Sequence, residues 1–213
     1  MRILGLDEAG RGSVLGPLVV GGYLWEAEDQ AALRAVGADD SKVLSHTKRV
    51  KIRERLTSIG QGLVQVIAAT AIDEGNLNRL EEVAFVALVQ ATAPDRVYLD
   101  APVHPGGIPK LRDRLIAATG VADWVIEPKA DGTYPVVGAA SIFAKVARDA
   151  AIADIEAEMA AAAMGSIGSG YPSDPVTRAF LRARLAEATP LPSFVRARWG
   201  TIEVLRQASL FGA

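Results

Sequence analysis

ILGLDEAGRGSVLGPLVV, residues 3–20, decides how the rest of the chain is read. An apolar run (Ile3, Leu4, Leu6) ends in two adjacent carboxylates, Asp7 and Glu8. Gly10-Arg11-Gly12 then strips the backbone of bulk, and a second apolar run follows from Val14 to Trp25. Two strands joined by a tight turn make an antiparallel start. Further β-type runs are expected at residues 63–70, 96–100 and 124–127, with helical periodicity over 47–59, 76–91, 108–118 and 136–163. Alternating units of this kind predict an α/β fold, a mixed central sheet flanked by helices. Beyond residue 163 the strands stop. Residues 165–175 are rich in Gly, Ser and Pro, and an Asp174-Pro175 pair starts a helix over about 174–187. A short helix is expected at 201–207, giving a C-terminal helical extension.

Half of the 213 residues are hydrophobic, enough for a sizeable core. The absence of cysteine excludes disulfides, thiolate metal sites and Cys nucleophiles, and fits a cytoplasmic protein. The N-terminus does not read as a signal peptide, and no apolar stretch reaches the ~20 residues of a membrane span. The net charge of −2 hides two basic segments. Lys42 to Arg55 holds six basic residues against one acidic, and Val176 to the end holds six Arg against two Glu. Solvated helix faces explain such segments; so does a polyanion partner flanking an acidic centre.

Asp7 has counterparts. RVYLDAP places Asp100 at the end of another apolar run, and VIEPKAD places Asp131 shortly after a third. Residues just past strand C-termini converge in one crevice of an open α/β sheet, so Asp7 and Asp100 meet if their strands are neighbours, and Asp131 and Glu8 complete the set. Any single Asp there also fits a turn. Clustered carboxylates repel one another unless a proton or a cation intervenes, and hard oxygen donors favour Mg²⁺ or Mn²⁺. With only His46 and His104 in the chain, a Ser-His-Asp triad has no support and a His-rich zinc site is excluded. Gly10-Arg11-Gly12 lets the backbone approach a sugar or phosphate; alone, it also fits a plain hairpin turn.

DEAGRG, DSKVLS, YLDAP, KADGTYPVVGAASIFAKVARD and GSGYPSDP, in this order and spacing, resemble the ribonuclease HII family, and the Trp199-Gly200-Thr201 segment is similar to its closing stretch. The resemblance spans nearly the whole chain. It implies an RNase H-like catalytic domain over residues 1–165, with 166–213 as an extension and tail packed on it. It also implies an endonuclease that cleaves the RNA strand of RNA–DNA hybrids and cuts 5′ of single ribonucleotides in duplex DNA. Asp7, Glu8, Asp100 and Asp131 would be the catalytic, metal-binding carboxylates, holding two divalent ions with substrate. Gly10, Arg11 and Gly12 would read the 2′-hydroxyl, and Tyr171 would stack on the next sugar. Lys42, Ser141 and Lys145 would also contact substrate.

GYPSDP looks like the archaeal and eukaryotic form of the Tyr loop. The C-terminal QASLF, with Gln207, Leu210 and Phe211, resembles the peptide by which bacterial proteins dock on the DNA sliding clamp. An ordinary amphipathic tail is the alternative. The ribonuclease HIII relatives carry an extra N-terminal domain and usually replace the Arg of Gly-Arg-Gly, which favours HII. A monomer is expected. Two rival readings stay open: an RNase H-like nuclease or resolvase acting on DNA alone, and a non-catalytic clamp-associated hybrid-binding module.

Overall fold

The computed structural model describes residues 1–38, 44–187 and 189–210, with side chains to Gln207. In chain order the elements are β1 (Ile3–Ala9), β2 (Leu18–Trp25), α1 (Ala31–Val36), α2 (His46–Ile59), β3 (Gln61–Ile67), α3 (Ala69–Glu74), α4 (Leu77–Thr92) and β4 (Arg96–Asp100). Then come α5 (Ile108–Thr119), β5 (Asp123–Glu127), α6 (Pro135–Ala161), α7 (Pro175–Ala186) and α8 (Gly200–Leu210). The sheet order is β3-β2-β1-β4-β5. β1 runs antiparallel to β2 and parallel to β4, and β4 runs parallel to β5. The sheet is therefore mixed, as the opening hairpin requires.

Two compact units can be distinguished. One comprises residues 1–9, 19–65 and 78–147; the other comprises 10–18, 66–77 and 148–213. In the first, β1 is the middle strand and is buried along almost its full length, which its unbroken apolar run anticipates. Its core gathers Ile3, Tyr23, Leu33, Leu56, Val136, Val137, Ile142 and Phe143. The buried Tyr23 hydroxyl is satisfied by the Leu56 carbonyl at 2.8 Å. The start of α6 lies directly on β1 at Gly5, where any Cβ would run into the backbone of Val136 and Val137. The second unit packs Val14, Leu15, Met159, Ile167, Phe180, Leu181, Val195 and Ile202 together. There Asp174 caps α7, accepting from the Val176 N–H at 2.9 Å, and Pro175 takes the first helical position.

The second strand is shorter than expected. Val14–Gly16 lies outside β2, and Leu15 makes only an isolated bridge to Val195. Gly16, at φ 77°, and Pro17, which has no N–H, interrupt the ladder. β3 begins and stops early, because Ala69 and Thr70 already belong to α3. α1 and α3 were not expected: each has six residues and no side-chain N-cap, too little for a periodic signal. Among the described residues no helix is long and apolar enough to cross a membrane.

Candidate active site

β1 and β4 are in parallel register, with Leu6 opposite Leu99. The next step along both strands brings Asp7 beside Asp100. Adjacent strands lie about 4.8 Å apart, so in-register side chains on the same face meet. Asp131 arrives by another route. It sits in the tight turn Ala130–Gly132 after β5, which the chain enters through Lys129 at φ 61°. The Ala130 N–H donates to Asp100 Oδ1 at 3.0 Å, so one carboxylate anchors the turn that carries another. Ligand-capable oxygens of Asp7, Asp100 and Asp131 all lie within 4.8 Å of one another. Asp7 and Asp131 are buried, and Asp100 is half-buried.

Burial, above all, pushes the Asp7 carboxyl up to about 7, and the negative charges of Asp100 and Asp131 push the same way. A hydrogen bond from Ser141 and the Glu8 N–H, 2.8 Å from Oδ1, oppose the rise. Such a group holds a proton near neutrality, and a cation relieves the same repulsion by replacing it. All three donors are carboxylate oxygens with no imidazole or thiolate among them, which fits Mg²⁺ or Mn²⁺.

Glu8 lies outside this three-carboxylate group. It is half-buried, with Oε2 shielded from solvent, and it follows Asp7 on a strand, where successive side chains face opposite ways. Ser141, fully buried on α6, touches the group through Asp7. Lys145 is one turn further along and half-buried.

The second unit brings two other expected segments together. The Val14 and Leu15 N–H groups donate to the Gly170 carbonyl at 2.8 and 3.1 Å, tying the Gly10–Gly12 turn to the residue before Tyr171. Gly10 adopts φ 85°, and a Cβ there would collide with the Arg148 side chain. Arg11 is half-exposed, Gly12 is exposed, and Tyr171 is 36 % exposed. Lys42 and Phe211 lie outside the described residues, as does the Leu210 side chain; Gln207 Nε2 donates to Glu203 at 2.9 Å.

Arg148, Arg196 and Thr177 in this unit have roles the sequence does not announce, and Asp174, expected only as a helix start, has a second one. Arg148 donates to the Ser169 carbonyl at 3.1 Å and lies under the Tyr171 ring at 4.7 Å. Arg196, fully buried, donates to the carbonyls of Gly10, Arg11 and Gly16. Asp174 accepts from the Ser169 N–H and hydroxyl at 2.6 and 2.7 Å, while Thr177 links the Gly170 N–H to the Ile167 carbonyl. Arg148 and Asp174 fall within motifs quoted above, while Arg196 counts there only as one of the C-terminal arginines. The partners of the two arginines, distant in sequence, are not visible there.

The family model for Ribonuclease HII matches residues 4–202. The chain belongs to the ribonuclease HII family. It is 38 % identical to the Ribonuclease HII of Methanothermobacter thermautotrophicus over 213 residues, which cover 97 % of this chain and all of that one. The crystal structure of the ribonuclease H2 from Pyrococcus horikoshii OT3 superposes with a TM-score of 0.86 at 34 % identity, covering 97 % of this chain and 98 % of that one. The structure of the PCNA:RNase HII complex from Archaeoglobus fulgidus gives a TM-score of 0.83 at 36 % identity, with 93 % and 95 % covered. Membership makes the chain a ribonuclease H with the RNase H-like fold, in a family that depends on divalent metal, and the Asp7–Asp100–Asp131 cluster is a donor set able to hold such an ion.

Proposed function

We propose that this ribonuclease HII hydrolyses the RNA strand of RNA–DNA hybrids and cuts on the 5′ side of single ribonucleotides embedded in duplex DNA. The cut leaves a 3′-hydroxyl and a 5′-phosphate, as removal of ribonucleotides from DNA requires. The observation that carries this reading is the convergence of Asp7, Asp100 and Asp131, from β1, β4 and the turn after β5, within 4.8 Å. These three, with Glu8, are assigned to holding two divalent ions, Mg²⁺ or Mn²⁺. Bound there, the ions supply charge neutralisation at the scissile phosphate and activation of the attacking water.

The chain's own groups do the positioning. Asp100 keeps the Asp131 turn in place through the Ala130 N–H. Ser141 is assigned to holding Asp7, since its hydroxyl is buried and hydrogen-bonded there. Lys145 and Lys42 are assigned to phosphates. Gly10, Arg11 and Gly12 read the ribose 2′-hydroxyl, the group that separates RNA from DNA. Tyr171, exposed at the edge of its loop, stacks on the following sugar. The basic runs follow the duplex backbones with salt-dependent affinity.

Gln207, Leu210 and Phe211 are assigned to docking on a sliding clamp, the partner seen with the Archaeoglobus fulgidus relative. Equal clamp recovery with and without residues 207–213 would remove that assignment. The enzyme is read as a cytoplasmic monomer. Its activity is tested by strand-specific cleavage of a duplex DNA bearing one ribonucleotide, with Mg²⁺, with Mn²⁺ and with chelator. A single metal-dependent cut 5′ of the ribonucleotide is expected. Equal cleavage of the all-deoxy duplex would favour a DNA nuclease instead, and no cleavage with either metal would favour a binding module.

A further inference from the structure

Arg196 has no exposed surface, and among the described residues its side-chain hydrogen bonds all go to backbone carbonyls. Nη2 reaches Gly10 O at 2.7 Å, Nη1 reaches Arg11 O at 3.0 Å, and Nε reaches Gly16 O at 3.2 Å. The Gly10 carbonyl also accepts from the Ser13 N–H at 3.2 Å and from the buried Ser13 hydroxyl at 2.8 Å. A buried cation costs solvation, and the planar fork of arginine, with donors spread over three nitrogens, meets three separated carbonyls at once.

The peptide plane gives these bonds a consequence. In a trans peptide the C=O of one residue and the N–H of the next point in opposite directions. Turning the Gly10 carbonyl toward Arg196 therefore aims the Arg11 N–H away from it. Turning the Arg11 carbonyl inward likewise aims the Gly12 N–H outward, and Gly12 is exposed. With its first two carbonyls engaged, the turn presents amide donors on its outer side, and the adjacent cation strengthens them by polarising the same peptides.

We propose that Arg196 is a positioning residue for ribose selectivity, holding the Gly10 and Arg11 carbonyls inward so that the Arg11 and Gly12 amides face the 2′-oxygen. This rests on the assignment of Gly10–Gly12 as the ribose reader. Arg148 is the companion strut. It packs on Gly10, bonds the Ser169 carbonyl and supports the Tyr171 ring, so turn and ring share one arginine-built floor. Burial, and next the charge of Arg148, lower the Arg196 guanidinium to about 10, with Tyr171 and Asp73 opposing; it stays charged at neutral pH.

The test uses the full chain carrying Asp7→Asn, so that substrate is not consumed. Kd is measured by fluorescence anisotropy for a duplex DNA with one ribonucleotide and for its all-deoxy twin. Arg196→Lys and Ser13→Ala are each added, and the melting temperature is recorded beside each ratio. Lysine keeps the charge but gathers its donors on one nitrogen, so it does not reproduce contacts made by three separate guanidinium nitrogens. The ribo/deoxy affinity ratio should fall by about tenfold, the worth of one well-aligned hydrogen bond, while affinity for the all-deoxy duplex is unchanged. Ser13→Ala should lower the ratio by a smaller factor. A purely structural role would lower the melting point or both affinities together and leave the ratio intact, and that result overturns the proposal. Should Arg196→Lys fail to fold, Ser13→Ala alone decides by the same ratio. A parent protein that shows no ribonucleotide preference would remove the ribose-reader assignment, and this inference with it. A preference kept by both variants removes the inference alone.

Discussion

Gly5→Ala adds one methyl group 2 residues before Asp7, at the point where α6 rests on β1. The new Cβ would meet the carbonyl of Val136 inside any tolerable contact and would stand 2.8 Å from the Val137 nitrogen. Ordinary contact requires about 3.5 Å, and the Val136 carbonyl is closer than the Val137 nitrogen, so the first turn of α6 must withdraw by roughly 1 Å or more. Backbone cannot yield as a flexible side chain does, and the interior on both sides is closed: Ile3, Leu4, Val136 and Val137 have essentially no exposed surface. Overpacking of this kind costs about 2–3 kcal/mol, which for a chain of this size lowers the melting temperature by about 5–10 °C. Function should suffer more than stability. α6 carries Ser141, the hydrogen-bond donor to Asp7, so its retreat pulls that donor from the carboxylate cluster. Misplacement of about 1 Å costs up to about 10²-fold in rate. The assay pairs differential scanning calorimetry with kcat on a single-ribonucleotide duplex, at a temperature where the variant remains folded. A Gly5→Ala protein melting within 2 °C of the parent and cutting at the parental rate would refute the claim that this close approach sets the site.

Asp7→Asn should reduce cleavage by at least about 10³-fold while leaving hybrid binding in place, because charge at the metal cluster is lost but the duplex-tracking residues are not. Without divalent ions the same variant should melt higher than the parent at pH 8, since it removes a charge destabilised first by burial and then by Asp100 and Asp131; calorimetry in chelator reads this directly. Thr177→Val keeps the shape of a fully buried side chain but leaves the Gly170 N–H without its acceptor at 2.9 Å, so a loss of about 1–3 kcal/mol by urea titration is expected, together with weaker junction preference through neighbouring Tyr171. The Asp174 carboxyl is held down at about 2, first by the Ser169 N–H and then by the Ser169 hydroxyl and the Val176 N–H. A lowered carboxylate stabilises fully above its unfolded value of 3.8 and loses that contribution as pH falls toward 2. The melting difference between the parent and Asp174→Ala should therefore be constant above about pH 5 and shrink between pH 4 and pH 2; a difference that grows on acidification would contradict the hydrogen-bond assignment.

How much of this was legible depended on whether a residue's role is local. Asp7 and Asp100 could be paired from text because each ends an apolar run, and parallel neighbours place strand ends side by side whatever the intervening chain does. Asp131 needed one further step, the turn entered through Lys129, yet it still follows a recognisable strand. Glu8 follows a different logic: as the residue after Asp7 on a strand it faces the other way and stands outside the 4.8 Å group, so its assignment as a fourth metal-holding carboxylate rests on the family resemblance. The helix bounds of α2, α4, α5 and α7 came within a residue or two because periodicity is summed over three or more turns. α1 and α3, at six residues each, offer no such sum. Least legible were Arg148 and Arg196. An arginine in an Arg-bearing stretch reads as surface charge, and what distinguishes Arg196 is a set of carbonyls some 180 residues away. Backbone acceptors carry no sequence signature, since every residue has one. Side chains that act by gripping backbone therefore emerge only with coordinates, whereas side chains that act on one another, like the carboxylates, announce themselves by type. The division follows function here: the residues proposed to do the chemistry could be read in advance, and those proposed to aim the ribose-reading turn could not.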